Sequence, residues 1–176
     1  MNIETLRVCF TCDASAGLLY WNKRPVSHFS SEAYARRWNT KCAGKPALTA
    51  TASGGYKMGR LFDKPVKAHR VIWALHHGAW PEFDIDHIDG NPANNSISNL
   101  RLATHAENMK NVRRHKDNQS GHKGVSYSSD TREKWAARIM VNGVVHRLGR
   151  FKTPEEAAAA YAQASERLHG QFSNSS

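Results

Sequence analysis

Cysteine is scarce in this chain, with three in 176 residues, and the count is odd. A fold stapled by a disulfide framework is thereby excluded, and a reducing cytoplasm is the economical setting. Long apolar runs are missing, since none approaches the ~20 residues that a membrane span requires. The opening residues MNIETLRVCF lack a basic stretch followed by an apolar one, so neither a leader nor membrane insertion is expected. Acidic residues are also few, 15 Asp plus Glu against 25 Lys plus Arg, for a net charge of +10. That deficit favours a polyanionic partner, most simply nucleic acid, over an acidic membrane surface. What is present is ordinary for a globular protein: 40% hydrophobic residues, too many for a disordered chain, over a length that suits one medium domain or two small ones.

The strongest punctuation falls at RRHKDNQSGH, residues 113–122, which is polar and basic except for Asp117. Apolar patterning is clear on both sides, so the chain is expected to divide into an N-terminal region 1–112, a basic linker 113–119 and a C-terminal domain 120–172. In the first region Leu18–Trp21 reads as a strand after a turn at 13–17, and Ser31 to Trp38 as a short helix opened by Ser30 or Ser31. Residues 54–58 read as the turn and strand of a hairpin. Val71, Ile72 and Leu75 mark one face of a helix over 69–77 that Gly78 ends.

The unusual segment is Ile85 to Asn95, which places Asp86 and His87 side by side in a short apolar strand before a loop rich in Asn, Gly and Pro. Neighbouring strand residues point to opposite faces, so both face inward only if the strand ends or bulges there. A second strand candidate spans 96–102. Thr104 and Glu107 then have the spacing of a capping box, so a helix is expected from His105 or Ala106 with Asn108 in its first turn. Asp86 offers a carboxylate and Asn108 an amide carbonyl, hard oxygen donors that suit one Mg²⁺ or Mn²⁺ completed by water and phosphate. His87 is the residue type that accepts a proton near neutral pH.

These residues resemble a known family. Asp86-His87-Ile88-Asp89-Gly90-Asn91, Asn99-Leu100-Arg101 and Glu107-Asn108-Met109, with His69-Arg70-Val71-Ile72-Trp73 upstream, are similar to HNH nucleases of the ββα-metal class, nearest the homing-type enzymes of phages and introns. The resemblance covers about 55–112, with Asn99 and Asn108 twelve and twenty-one positions after His87. It implies a DNA endonuclease, phage-encoded and acting in a bacterial cytoplasm, that nicks or cuts phosphodiesters. His87 would be its general base, Asp86 and Asn108 the ligands of one divalent metal ion, and Asn99 a structural residue whose amide ties the loop and orients His87.

The C-terminal domain reads as three strands and a helix. Gly124–Ser128 suggests the first strand, and Trp135, Ala137, Ile139 and Val141 alternate with Ala136, Arg138 and Met140 in the second. Asn142-Gly143 forms a two-residue turn into a return strand over 144–151. Thr153-Pro154-Glu155-Glu156 opens a helix whose Ala157, Ala160, Tyr161, Ala164 and Leu168 form one face. The whole is α+β, a nuclease unit followed by a three-stranded antiparallel sheet with one helix across it. Ser120–Val125, Lys134–Ile139, Leu148–Phe151, Glu155–Ala158, Ala160-Tyr161 and His169-Gly170 are similar to an AP2 DNA-binding domain, which implies a sheet lying in the major groove. Independently, the two-residue turn sets Arg138 opposite Arg147; like charges so placed repel without a counterion, which points to DNA between them. Lys123 and the cations Lys110, Arg113, Arg114 and Lys116 suit phosphate contacts.

Other features weigh less. Cys9 and Cys12 have metal-ligand spacing, but Cys42 stands alone and zinc is disfavoured. His76 and His77 diverge on a helix and suit a surface; His69 suits packing or a phosphate contact, and His105 a helix start. A monomer acting on double-stranded DNA is the favoured form. The alternatives are a non-catalytic DNA-binding protein with a vestigial nuclease fold and, less favoured, an RNA-binding protein.

Overall fold

The computed structural model describes residues 1–104, 107–108, 118, 120–129, 132–141 and 143–170. The linker cations Lys110, Arg113, Arg114 and Lys116, the helix start at His105 or Ala106, and Asn142 lie outside the described residues. The chain separates into two compact units, Met1–Leu102 and Ala103–Ser176.

In the first unit the Asn2 side chain accepts from Thr5 N at 2.8 Å and opens α1 (Ile3–Cys9), a helix that the sequence patterning did not announce. Its Leu6 and Cys9 are fully buried. An antiparallel hairpin follows, β1 (Phe10–Asp13) with β2 (Leu18–Trp21), in register from Phe10 opposite Trp21 to Asp13 opposite Leu18. Ser31 caps α2 (Glu32–Cys42) by accepting from Tyr34 N at 3.2 Å, as the sequence led us to expect. A three-stranded meander comes next: β3 (Ala50–Thr51), β4 (Lys57–Leu61) and β5 (Lys64–Lys67). Then α3 (Ala68–His77) ends at Gly78, whose φ of 73° is the left-handed conformation that closes a helix. Val71, Ile72 and Ala74 of α3 pack with Leu6, Phe10, Leu19 and Leu61 into one apolar core. Each large apolar side chain so buried stabilises the fold by about 1.5–3 kcal/mol, which makes α3 the wall against which the rest of this unit is set. Finally β6 (Asp84–His87) pairs with β7 (Leu100–Ala103). The second strand begins later than the pattern suggested, because Ile97–Asn99 is wound into a short 3₁₀ turn.

The second unit is a three-stranded antiparallel sheet with β9 (Trp135–Val141) central, β8 (Val125–Tyr127) on one side and β10 (Val144–Phe151) on the other. The expected register is met: Val144 faces Val141 and Arg147 faces Arg138, and the pairing shifts after Arg147 so that Gly149 faces Ala137. Ala137 and Ile139 are buried while Arg138 and Met140 are exposed, the alternation of a strand with one covered face. The cover is α4 (Pro154–His169), which buries Ala157, Tyr161 and Ala164. Thr153 accepts from Glu156 N at 3.2 Å, and Glu156 accepts in return from Lys152 N at 3.1 Å, one residue earlier than a strict capping box.

Candidate active site

The strand β6 ends at His87, and that ending lets both neighbours face inward: Asp86 is 3% and His87 5% exposed. The loop that follows is tied by polar side chains. Gly90 N donates to His87 O at 2.8 Å and Ile88 N to Asn99 O at 2.9 Å. Asn99 bridges the loop with its amide: Oδ1 accepts from Asp89 N at 3.0 Å, while Nδ2 donates to Asp89 Oδ1 at 3.0 Å and to Asn94 O at 2.8 Å. Asp89 also accepts from Asn91 N at 2.7 Å and from Asn94 Nδ2 at 2.8 Å. Burial works to raise the Asp89 carboxyl, but the hydrogen bonds from Asn94, Asn91 and Asn99, with His87 nearby, outweigh it and hold the group below its ordinary range.

The His87 ring is held from several sides. Its Nε2 lies 3.1 Å from Oδ1 of Asn95, itself 3% exposed. An amide oxygen accepts only, so in this contact Nε2 is the donor. His69 meets the ring edge-to-face at 5.2 Å and Tyr56 lies at 5.8 Å; those two are 5.4 Å apart, and Lys67 Nζ stands 4.8 Å over Tyr56. Such ring pairs contribute about 0.5–1.5 kcal/mol beyond area burial and restrict rotation. His69 is buried with no hydrogen bond to Nδ1. Burial first, then the nearby His87, Lys67 and Arg70, lower its pKa to about 3. It is a neutral packing partner of His87.

Asp86 is bound by Arg101, whose Nε and Nη2 lie 2.7 and 2.6 Å from Oδ2. The pair is nearly dry, so it orients the carboxylate and offsets the cost of burying its charge. In the second unit, Thr104 and Glu107 form the expected reciprocal box: Thr104 N and Oγ1 each donate to Glu107 Oε2 at 2.8 Å, and Glu107 N to Thr104 Oγ1 at 3.3 Å. Asn108 N donates to Thr104 O at 2.9 Å, which puts Asn108 in the first turn of a helix. The structure thus gathers Asp86, His87 and Asn99 in the first unit, with Asn108 in the second.

Among the described residues no group of three or more His, Cys, Asp and Glu could hold a metal ion. Asp86 in the first unit is a carboxylate and Asn108 in the second an amide, each the oxygen-donor type that suits Mg²⁺ or Mn²⁺. Cys9 is buried at the end of α1 with Sγ 3.8 Å from His28 Nδ1, whereas Cys12 stands on β1. Burial raises both thiols. His76 and His77 are exposed, with rings 4.8 Å apart. In the second unit Arg138 and Arg147 stand exposed and directly opposed, while Lys123 is half-buried and desolvation lowers its pKa. Sequence reasoning missed Asn95, Tyr56 and Arg101 as parts of this site. The run of asparagines and the charge alternation of Asp86 with Arg101 were the available signals.

Residues 66–110 match the HNH endonuclease family. Protein 3.8 of Escherichia phage T7 is 39% identical over 117 residues, covering 66% of this chain and 95% of that protein. An uncharacterised HNH endonuclease, L560 of Acanthamoeba polyphaga mimivirus, is 37% identical over 119 residues; the match covers 66% of this chain and 58% of that longer protein. No solved structure matches.

The buried His69 gives the site a pH signature. A histidine of ordinary pKa near 6.5 when unfolded and about 3 when folded takes up protons on unfolding between those values. Its contribution to stability is therefore full above pH 6.5 and lost as pH falls toward 3, with a slope of up to about 1.4 kcal/mol per pH unit. Denaturant unfolding at pH 7.5 and pH 5 should show a smaller loss for His69→Phe than for the wild type.

Proposed function

We propose that this chain, whose residues 66–110 match the HNH endonuclease family, hydrolyses DNA phosphodiesters with His87 as general base. The observation that carries the reading is the His87 ring, buried at a strand end with Nε2 given to Asn95. His87 Nδ1 takes a proton from water as the water oxygen attacks phosphorus and the P–O3′ bond breaks. Asp86 and Asn108 would be the oxygen donors for one Mg²⁺ or Mn²⁺, which would supply positive charge against that developing on the phosphate and its leaving group. Arg101 keeps the Asp86 carboxylate oriented, and Asn99, by closing the loop, keeps His87 and Asn95 in reach of each other.

The second unit is assigned to finding the site. An open sheet face backed by a helix, with Arg138 and Arg147 opposed on it, supports an AP2-like contact with the major groove in which phosphate or a guanine edge separates the like charges. Lys123, Lys110, Arg113, Arg114 and Lys116 are assigned to phosphates, where they add affinity without sequence information. The HNH match supports DNA as the substrate, and the phage relative agrees with a setting inside an infected bacterium.

The test is conversion of supercoiled plasmid to open circle or linear DNA with Mg²⁺ or Mn²⁺, against chelator. His87→Ala should lose conversion by about 10²-fold or more while binding DNA within a few-fold of wild type; cutting at the wild-type rate would remove His87 as the base. Replacing Arg138 and Arg147 together with Ala should weaken binding to the preferred sequence more than to random duplex. Equal loss on both would make them phosphate contacts only.

A further inference from the structure

Residues 10–21 take no part in the proposed chemistry, yet their hairpin meets the site loop backbone to backbone. The turn between β1 and β2 is locked by Asp13, whose Oδ1 accepts from Ala16 N at 2.9 Å and Ser15 Oγ at 2.7 Å. Phe10 and Leu19 anchor its two strands in the core, each 3% exposed. At the turn's end Gly17 has φ +69°, and a Cβ placed there would stand 2.4 Å from the carbonyl carbon of Asn95 and 2.4 Å from the amide nitrogen of Ser96. These are main-chain atoms, so no side-chain rotation could relieve the contact. Two residues on, Ile97 N donates to Ala14 O at 2.8 Å, closing the same seam.

We propose that Gly17 is a positioning residue for the reaction: the β1–β2 turn is the floor on which Asn95 rests, and its bare backbone sets the height at which Asn95 Oδ1 meets His87 Nε2. The sequence of contacts runs from the core through Gly17 to the Asn95 backbone, from there to the Asn95 amide, and then to the ring. A side chain at Gly17 lifts the Asn95–Ser96 peptide and pulls the Asn95 acceptor from Nε2, so the His87 ring loses the contact that holds its orientation. This rests on the reading of His87 as the base, but the contact itself does not.

Gly44 provides the control. Its φ is +77° and a Cβ there would meet nothing within 4 Å, so Gly44→Ala carries the left-handed backbone cost without the collision. The experiment compares full-length wild type, Gly17→Ala and Gly44→Ala by thermal unfolding, by long-range ¹H–¹⁵N correlation of the His87 ring and by single-turnover plasmid nicking. Gly44→Ala should lose some thermal stability and keep the Nε2–H ring signature and the wild-type rate. Gly17→Ala should lose the uniform Nε2–H signature and slow nicking at least about tenfold, part of the ~10²–10⁴-fold that a positioned base contributes, with DNA binding within a few-fold. A folded Gly17→Ala protein with the wild-type ring signature overturns the proposal. A changed signature with an unchanged rate upholds the positioning and overturns His87 as the base instead. Should Gly17→Ala fail to fold, Ile97→Pro removes the donor to Ala14 O at the first residue of a 3₁₀ turn, where proline is tolerated; it should loosen the same signature, and an unaltered ring would equally overturn the proposal.

Discussion

One side-chain amide, that of Asn99, spans the loop between β6 and β7 and satisfies groups on both of its limbs. It holds the Asp89 main chain and carboxylate on one side and the Asn94 carbonyl on the other. A loop of this length has many conformations, and three hydrogen bonds from one planar group, together with those that Asp89 accepts from Asn91 and Asn94, restrict them without an apolar core of its own. Each such bond contributes about 0.5–1.5 kcal/mol net, and leaving its buried partners unmade costs more, so the amide acts as an all-or-none clasp. Everything downstream depends on it: Asn95 leaves the clasp aimed at His87, and β7 starts immediately after it, bringing Arg101 to Asp86.

The first unit thereby concentrates its buried polar groups. Asp86, His87, Asn95, Asn99 and His69 are each less than a tenth exposed. Burying a carboxylate and two imidazoles near one another is costly unless each is paired or neutral. Here Arg101 pairs the carboxylate, the Asn95 amide oxygen accepts a hydrogen bond from His87 Nε2, and His69 stays uncharged above about pH 3. The same low-dielectric surroundings that make these requirements strict also strengthen the interactions of any phosphate that enters. The second unit faces the opposite problem. Its sheet leaves one face uncovered and sets two arginines against each other there, an arrangement that an anion relieves.

Features specified by adjacent residues were legible in the sequence. Thr104 with Glu107 and Thr153 with Glu156 announce helix starts through short-range geometry, and the dipeptide Asn142-Gly143 announced the register, seen in the paired strands, that opposes Arg138 and Arg147. The pairing of Asp86 with His87 was legible as unusual because a strand cannot ordinarily bury both neighbours, and the strand does end there. What escaped is what depends on contact between distant segments. Asn95 looked like one asparagine among several until the fold aimed it at His87, and His69 gained its meaning only when α3 set it edge-on to the same ring. Gly17 looked like any turn glycine, because nothing in its own neighbourhood encodes the Asn95 backbone beside it. The helix α1 escaped because seven residues with two buried positions leave too little periodicity to detect.

If His87 is the base proposed above, the Asn95 amide oxygen 3.1 Å from Nε2 holds the ring in the orientation from which it meets water. The most direct measurement is the single-turnover nicking rate of Asn95→Ala on plasmid DNA at saturating protein, beside its affinity for the same DNA. The expected result is a folded protein with unchanged affinity and a rate lowered at least about tenfold, a fraction of the ~10²–10⁴-fold attributable to a positioned base. A rate equal to that of wild type would contradict it, since His87 would then act without the partner that defines its geometry.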